Sequence, residues 1–359
     1  MEHFSYHIPT KIIYGIDTLD DIEKYFTDKK ILLVTSKGHI KRGLLTKLEN
    51  LNIVATIDNI KSHPEFNHLE VIYEKVLNIQ FDIILAIGGG SVIDGAKYLS
   101  VYNTSKEKDF VTKLIKKETT KQYFIKPFIS VPTTAGTSSE ITHWATIWDM
   151  DEKKKYSLHL PELFSTIAIY DPVLTLSVPK DITIQTALDT LSHALESIWN
   201  KNANEITITH AIKAAKLIIK NIIPLANDLD NLEYRSNILK ASIYAGLAFG
   251  NTQTAVAHAM SYYITAHKGV DHGIACSFTL PLIIDNIIGK YDFIDKALKE
   301  IFGELNSDKL RTILNQLNIS TEFKDYGITN DELKYIISSL QNSQRAGNSL
   351  VHLSMDGLL

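Results

Sequence analysis

The sequence predicts a fold in two parts: an α/β domain built on a parallel sheet over residues 1–180, then an all-helical domain over residues 181–359. In the first part, short β-branched runs alternate with amphipathic stretches, the pattern of strands joined by crossover helices. In the second part, apolar residues recur at helical spacing and strand-like alternation is almost absent. A chain of 359 residues, 45% of them hydrophobic, is long enough for two domains with separate cores.

Five apolar runs in the first part are expected to form the strands of the sheet. Each is rich in β-branched residues and is bounded by turn or breaker residues, as buried strands are. In chain order the runs are KILLVT (30–35), NIVATID (52–58), FDIILAIG (81–88), PFISVPTT (127–134) and STIAIYD (165–171).

The boundary between the domains is expected in DPVLTLSVPKD, residues 171–181, which contains two prolines. Asp181 is the expected N-cap of the first long helix, because a carboxylate there can accept from free N–H groups. The helical segments that follow are ITIQTALDTLSHALESIWN (182–200) and EITITHAIKAAKLIIKNIIPLAND (205–228).

Composition excludes several classes of function. Lys and Arg total 37 against 41 Asp and Glu, so the net charge of -4 provides no field for a polyanion, and nucleic acid is not an expected partner. The start, MEHFSYHIPTKIIYG, lacks the basic and apolar regions of a signal peptide, and no apolar run of about 18 residues occurs. We therefore expect a cytoplasmic protein with no membrane partner.

The single cysteine, Cys276, excludes an intrachain disulfide and a multi-cysteine metal site. It lies in the apolar stretch GIACSFTLPLII, so we expect a buried, inert thiol.

A glycine-rich turn follows the third predicted strand. Gly88, Gly89, Gly90 and Ser91 separate that strand from an amphipathic helix, so bare backbone N–H groups at the helix start can face an anion. A phosphate site is the favoured interpretation, and a plain tight turn is the alternative, because GGGS alone is a weak motif.

A hydroxyl-rich loop, PTTAGTSSE, follows the fourth predicted strand. Hydroxyl groups cluster around Gly136, and the alternative to a phosphate site is an N-capping loop. Two such loops at the carboxyl edge of one sheet favour a dinucleotide over a single phosphate. The hydroxyl groups are those of Thr133, Thr134, Thr137, Ser138 and Ser139.

The helical part contains residues suited to bind a metal. Asp189 and His193 are four residues apart and share one face of a largely apolar helix. Downstream lie His258 and His272, with His267 between them. Three imidazoles and a carboxylate would bind iron(II) or zinc and leave open positions, but histidines satisfied in the core or at the surface are an equal alternative for a chain with 13 of them.

The segment YDPVLTLSVPKDITIQTALDTLSHALES resembles the signature of the iron-containing (group III) alcohol dehydrogenase family. IPTKIIYG, GGGSVIDGAK, VPTTAGTSSE, AHAM and DHG also occur in the family's order, so the resemblance covers nearly the whole chain. It implies a Rossmann-like nicotinamide-binding domain before a metal-binding helical domain, an architecture shared with dehydroquinate synthase. The matching signature residues are Asp171, Pro179, Asp189, His193 and Glu196.

The resemblance also implies roles for individual residues. The metal ligands would be Asp189, His193, His258 and His272, with iron(II) favoured and zinc as the alternative. The cofactor would be held by Gly88, Gly89, Gly90, Ser91, Asp94, Thr133, Thr134, Thr137 and Lys155. We further expect a homodimer.

Three positions depart from the family pattern. Tyr262 stands where a histidine often follows the third ligand, so the proton could come from Tyr262, from His267 or through water. His63 precedes Pro64 where the family usually has Asn, which could alter the substrate pocket. Ser36 stands where NAD-specific members resemble one another in having an aspartate that binds the ribose diol. Because Ser36 carries no charge and Lys37 and Arg42 are close in sequence, we expect NADPH to be used.

Within the family, ITHWATIWDMDEKKKYSL and AHAMSYYIT are most similar to phosphonoacetaldehyde reductases. The implied activity is hydride transfer between NAD(P)H and a small aldehyde held at the metal, such as phosphonoacetaldehyde giving 2-hydroxyethylphosphonate. Candidates for holding a phosphonate are His63, His143, Lys155, Lys268 and Arg345. The alternatives are a dehydrogenase of lactaldehyde, propanediol, butanol or glycerol, a dehydroquinate-synthase-like lyase, and a non-catalytic binding protein.

Overall fold

The structure, a computed structural model, describes residues 3–152 and 154–353. They form two compact units. Among the described residues, the α/β unit comprises those in Ile8–Thr134 and Ser139–Thr175, and the helical unit comprises residues 3–7, Ala135–Ser138 and 176–353. Each unit is described separately below.

The α/β unit is built on a six-stranded parallel sheet with the order β1-β10-β7-β4-β2-β3. Two smaller antiparallel pairs, β5 with β6 and β8 with β9, lie beside it. The strands are β1 Lys11–Tyr14, β2 Ile31–Val34, β3 Ile53–Ile57, β4 Ile83–Gly88, β5 Val101–Tyr102, β6 Phe124–Ile125, β7 Phe128–Pro132, β8 Trp144–Asp149, β9 Lys154–His159 and β10 Ile167–Tyr170.

All five predicted runs contain strands of this sheet, and only the edge strand β1 comes from outside them. The five strands are β2, β3, β4, β7 and β10. Side chains alternate between its faces: Ile84 and Ala86 of β4 join the core under one face, and Ile83, Leu85 and Ile87 join the core under the other. Because both faces are covered, β4 is apolar throughout, as parallel strands usually are. The helices of this unit are α1 Lys37–Lys41, α2 Leu44–Lys47, α3 Phe66–Val76, α4 Gly90–Ser100 and α5 Phe110–Ile115, and all but α1 contribute buried residues to the two cores.

The helical unit contains nine α-helices among the described residues. They are α6 Lys180–Ile198, α7 Glu205–Asn227, α8 Leu232–Thr252, α9 Val256–Lys268, α10 His272–Ser277, α11 Leu280–Ile287, α12 Asp292–Phe302, α13 Asp308–Gln316 and α14 Asn330–Leu340. Short 3-10 turns occur in both units. Those of the α/β unit are Ile22–Tyr25, Ser139–Ile141 and Pro172–Thr175, and those of the helical unit are Phe323–Tyr326 and Ala346–Asn348.

The central helix α6 is buried on all sides from Ala187 onward, so its polar residues there must find partners inside the protein. The expectation that Asp181 caps this helix is wrong. Pro179 is the N-cap residue, and Asp181 lies inside the first turn. Proline fixes a φ suited to helix entry, so the helix starts before the carboxylate, which still lies near the positive end of the helix dipole.

Across the described ranges, no helix combines the length and the apolar character that crossing a membrane requires.

Candidate functional site

Three polar side chains on α6, those of Asp189, His193 and Glu196, are almost completely buried. Their spacing of four and then three residues places them on one face of the helix. His193 stacks on Phe249 of α8, with ring centroids 3.9 Å apart and an interplanar angle of 5°. This contact fixes the plane of the imidazole.

The structure brings the four predicted metal ligands together around one carboxylate oxygen. Asp189 Oδ1 lies 3.8 Å from His193 Nε2, 3.4 Å from His258 Nε2 and 4.0 Å from His272 Nε2. Two donors that bind one ion at about 2.0–2.2 Å are separated by roughly 3–4 Å. The spacing therefore fits a shared metal ion.

Two atoms of this cluster are buried polar groups that need a partner. Among the described residues, Asp189 Oδ1 and His258 Nε2 make no hydrogen bond. Leaving such groups unsatisfied is costly. A divalent cation between them would satisfy both, so the residues present fit a metal ion.

The electrostatics of the cluster favour positive charge. Burial alone would raise the pKa of Asp189, but His193, His258 and His272 outweigh it and hold that pKa below its usual value. Burial would likewise lower the pKa of His258, yet Cys276, Glu196 and Asp189 raise it well above the usual value. The pocket thus stabilises a cation beside Asp189.

Hydrogen bonds fix the tautomers of two histidines. His258 Nδ1 lies 2.6 Å from Glu196 Oε2, and a carboxylate only accepts, so Nδ1 donates and Nε2 faces Asp189. Ser261 Oγ donates to the His258 carbonyl at 2.8 Å and lies 3.3 Å from His272 Nδ1. His272 Nδ1 therefore donates to this hydroxyl, and its Nε2 also faces Asp189.

Glu196 also anchors the start of α9, where its carboxylate accepts backbone N–H groups from Ala255 at 2.9 Å, Ala257 at 2.5 Å and His258 at 3.3 Å. A carboxylate at this position satisfies free donors and stabilises the helix dipole. In the sequence, Glu196 was identified only as a matching signature residue. Its helical spacing from Asp189 and His193 was the signal that it belongs to the site.

Gly273 sets the approach of α10 to α6. A Cβ at Gly273 would lie 2.0 Å from the Gln185 carbonyl oxygen, closer than any side chain permits. Gln185 Nε2 also donates to Asp271 Oδ2 at 2.6 Å. Gln185 lies one helical turn before Asp189, so these contacts place His272 beside Asp189. The close approach explains why a glycine follows the histidine.

Cys276 lies in the same cluster. Its Sγ is 3.8 Å from His272 Nε2, and burial raises the pKa of the thiol. The predicted burial is confirmed, but the thiol borders the metal ligands and is not isolated in the apolar core. The i, i+4 spacing from His272 could have indicated this position.

The two candidate proton donors lie on different sides of α9. Tyr262 follows His258 by four residues and stacks on the His272 ring, with centroids 6.5 Å apart. His267 follows His258 by nine residues, which places it on the opposite side of the helix. It is exposed and its ring contacts Tyr263, so only Tyr262 borders the cluster.

The predicted cofactor residues of the α/β unit gather at the carboxyl ends of three neighbouring strands. Val34 of β2 pairs with Ala86 of β4, and Gly88 of β4 pairs with Pro132 of β7. Ligands of open parallel sheets bind at such an edge, where the strand order reverses. The predicted residues at or just after the ends of these strands are Ser36, Gly88, Gly89, Gly90, Ser91, Thr133 and Thr134.

The glycine turn has no room for a side chain at Gly88 and little room at Gly89. A Cβ at Gly88 would lie 2.6 Å from Val92 Cβ, and one at Gly89 would lie 3.2 Å from Thr134 Oγ1. The turn leads directly into α4, so its backbone N–H groups face outward beside the Thr134 hydroxyl. This surface fits a phosphate. Ser91 is less available, because its hydroxyl donates to the Ser62 carbonyl.

His39 is a residue of this edge that the sequence did not indicate. Arg42 donates to its Nδ1 at 3.0 Å, so Nε2 carries the proton and donates to Thr133 Oγ1 at 3.2 Å. Burial, assisted by Arg42, lowers the pKa of His39 to about 4, which keeps it neutral. Ser36 caps the following helix by accepting from the His39 N–H at 3.3 Å.

Asp94 lies one turn into α4 and is engaged by protein groups. It accepts from the Ser139 hydroxyl at 2.5 Å and the Thr146 N–H at 2.9 Å. Burial raises its pKa, which Lys97 and Lys155 partly offset. Asp94 and the predicted cofactor residue Lys155 are therefore neighbours.

The predicted loop residue Thr137 belongs to the helical unit, where its neighbours are fixed by α6. A Cβ at Gly136 would lie 2.7 Å from Thr186 Cβ. Thr190 Oγ1 donates to the Ala135 carbonyl at 3.3 Å, and Ser138 Oγ donates to the Ser242 carbonyl at 2.8 Å.

The five cationic candidates for substrate binding differ in their surroundings. Lys268 pairs with Glu332 at 2.7 Å, and His143 Nε2 lies 2.7 Å from His159 Nε2. His63 contacts the Trp148 ring. Arg345 donates to Thr254 Oγ1 at 3.0 Å, just before the start of α9, and no carboxylate among the described residues pairs with it.

Two family models match the chain. Residues 9–172 match "Iron-containing alcohol dehydrogenase", and residues 183–349 match "Fe-containing alcohol dehydrogenase family, C-terminal".

Individual relatives agree with these matches. A 1,3-propanediol dehydrogenase of Citrobacter freundii is 32% identical over 322 residues, covering 86% of this chain and 82% of the relative. A sulfoacetaldehyde reductase of Bilophila wadsworthia is 27% identical over 358 residues, covering 92% and 90%. The crystal structure of sulfoacetaldehyde reductase from Bifidobacterium kashiwanohense with NAD+ superposes with a TM-score of 0.89 at 26% identity, covering 100% of this chain and 97% of that one.

Proposed function

The chain belongs to the iron-containing alcohol dehydrogenase family, and from this premise we propose that it reduces a small anionic aldehyde, with phosphonoacetaldehyde as the first candidate. As a member of the family it is a metal-dependent, NAD(P)-linked oxidoreductase of alcohols and aldehydes. The observation that carries this activity is the buried cluster in which Asp189 Oδ1 faces three imidazole nitrogens.

The proposal assigns Asp189, His193, His258 and His272 to hold the metal. When bound, the ion supplies Lewis-acid polarisation of a carbonyl oxygen, and the nicotinamide supplies the hydride. Glu196 and Ser261 keep two imidazoles oriented with Nε2 toward the ion. Tyr262, beside His272, is the proposed proton donor to the product oxygen.

The proposed anionic substrate rests on similarity and on one side chain. Two of the similar proteins are named for sulfoacetaldehyde, a two-carbon aldehyde with a tetrahedral anionic group, and phosphonoacetaldehyde has the same form. Arg345 is the proposed anchor, because guanidinium binds tetrahedral oxyanions through paired N–H groups. Lys268 is less suitable, since Glu332 already neutralises it.

A substrate panel at fixed NADPH tests this proposal. We expect kcat/KM for phosphonoacetaldehyde to exceed that for propanal by at least about tenfold, which is 1.4 kcal/mol. Arg345→Ala should remove most of this advantage and leave propanal turnover unchanged, whereas Lys268→Ala is the matched control and should leave the ratio unchanged. If propanal or 1,3-propanediol is preferred by the wild-type enzyme, the anionic substrate is wrong while the dehydrogenase assignment stands.

We also propose that NADPH is used at least as well as NADH. Ser36 provides no carboxylate to repel a 2′-phosphate, and the exposed Lys37 and Arg42 lie beside it on α1 and its C-cap. Ser36→Asp should shift the preference toward NADH through charge repulsion, as measured by the ratio of the two kcat/KM values. A wild-type preference for NADH of about a hundredfold, or 2.7 kcal/mol, would contradict the proposal.

A further inference from the structure

The metal cluster contains a donor beyond the four that the family resemblance implies. Asp189, His258, His272 and Cys276 each offer one ligand atom, and these four atoms all lie within 4.8 Å of one another. Cys276 is fully buried. Carboxylate oxygen, imidazole nitrogen and thiolate sulfur are all donor types that zinc accepts, and His193 Nε2, 3.8 Å from Asp189 Oδ1, remains beside this set.

Several independent contacts place the sulfur there. Cys276 and His272 are four residues apart on α10 and share a face of that helix. The close backbone contact at Gly273 holds α10 against α6. Asp189 Oδ1 and His258 Nε2, the two buried atoms that need a partner, belong to the same set.

We propose that the Cys276 thiolate binds the same metal ion as Asp189, His258 and His272 and makes this site select zinc over iron(II). The inference rests on the proposed metal site and concerns only which donors and which ion that site uses. A thiolate is a softer ligand than carboxylate or imidazole, and soft ligands favour zinc over iron(II) beyond the general affinity order. The thiol proton leaves to solvent when the ion binds.

Cobalt(II) provides a direct test, because a thiolate bound to cobalt gives a near-ultraviolet charge-transfer band. The chain has one cysteine, so such a band can only arise from Cys276. The full chain is stripped with a chelator, loaded anaerobically with cobalt(II), and its absorbance and cobalt content are measured. We expect the band in the wild type and in Ser277→Ala, the adjacent buried residue on α10, and its loss in Cys276→Ser and Cys276→Ala with cobalt still bound.

Metal competition tests the selectivity. Against a chelator, Cys276→Ala should lose zinc affinity by at least about tenfold, with a smaller change for iron(II). Bound cobalt without the band in the wild type, or equal zinc affinity in the wild type and Cys276→Ala, would overturn the inference and leave the proposed function intact. If wild-type protein binds none of the three ions, the proposed metal site itself fails.

Discussion

Two clusters of buried charged side chains, one in each unit, differ in whether protein groups satisfy them. In the α/β unit, the fully buried Lys97 ammonium donates to the Thr142 carbonyl at 2.8 Å and the Trp144 carbonyl at 2.7 Å, and Asp94 accepts from two protein donors. In the helical unit, Asp189 Oδ1 and His258 Nε2 are equally buried but make no hydrogen bond among the described residues.

The difference distinguishes a cluster that stabilises the fold from a cluster that can bind a ligand. A buried charge with a full set of protein partners holds loops together and has no need of a ligand. Buried polar atoms that converge without partners are stabilised only by a group from outside the chain. On this comparison, substitutions around Asp189 should change metal binding, and substitutions around Lys97 should change stability alone.

The largest effect is expected from Gly273→Ala. The added Cβ would meet the Gln185 carbonyl at 2.0 Å, so α10 must move away from α6 and carry His272 with it. We expect loss of bound metal and activity, and destabilisation of about 3 kcal/mol or more. Metal analysis and thermal unfolding measure both effects. Gly347→Ala, where an added Cβ meets nothing within 4 Å, is the matched control, and a Gly273→Ala protein with full metal content would contradict this account of the packing.

Glu196→Gln should weaken metal binding without abolishing it. The amide cannot accept from His258 Nδ1 and from all the backbone N–H groups of α9 as the carboxylate does. We expect a loss of metal affinity of about 10–100-fold, measured by competition with a chelator. Glu233→Gln, an exposed acid in the first turn of α8, should have no such effect. Unchanged affinity in Glu196→Gln would show that His258 needs no carboxylate to orient it.

Lys97→Met should act on stability and spare the metal. The substitution leaves two buried carbonyls without their donor and removes the charge that offsets Asp94 and Glu140. We expect the free energy of unfolding of the α/β unit to fall by about 3–5 kcal/mol, as measured by urea unfolding. Lys75→Met on the exposed face of α3 is the control. Reduced metal content in folded Lys97→Met would break the distinction between the two units.

A smaller, pH-dependent effect is expected from Glu140. Burial raises its pKa from 4.5 to about 7. The folded state therefore favours the protonated acid, so stability is full below about pH 4.5 and declines as the pH rises through about 7. At about 1.4 kcal/mol per pKa unit, the difference between 4.5 and about 7 makes this decline at most about 3.5 kcal/mol. In Glu140→Gln the urea midpoint of unfolding should change less with pH between pH 5 and 7 than in the wild type. An equal pH dependence in both proteins would exclude Glu140 as its source.

Much of the fold follows from local patterns. Each of the five predicted runs contains a strand of the sheet, because buried parallel strands require continuous apolar sequence. The two long predicted helical segments correspond to α6 and α7. The edge strand β1 and the hairpin β8–β9 were not predicted. β1 and β9 are mostly half-buried or exposed and contain lysines, so their sequences carry little strand signal. β8 buries Ala145, Ile147 and Trp148, so its sequence carried a strand signal that the five predicted runs did not include.

The site divides in the same way. Asp189, His193, His258 and His272 could be named in advance through the family resemblance, because the helical spacing of Asp189 and His193 alone left satisfied histidines as an equal alternative. Ser261 and His39 could not, since a serine in an apolar segment is typical of any core and a histidine in the basic segment KGHIKR is typical of a surface. Cys276 could have been indicated only by its spacing of four residues from His272. Their roles depend on which helix lies opposite, and no local pattern records that.

The sequence by itself determined the five predicted strands, the two long helices α6 and α7 and the turn of bare glycines, since each depends on residues within a few positions of one another. The donor types of the metal cluster followed from the family resemblance. Only the tertiary structure decided that Glu196 orients His258, that Ser261 orients His272, and that Cys276 lies within reach of Asp189. Glu196 and His258 are 62 residues apart in the chain. Such pairs meet because helices pack closely at positions such as Gly273, where α10 contacts the backbone of α6. The closeness of this packing depends on the surfaces of both helices, and these are formed by segments far apart in the sequence.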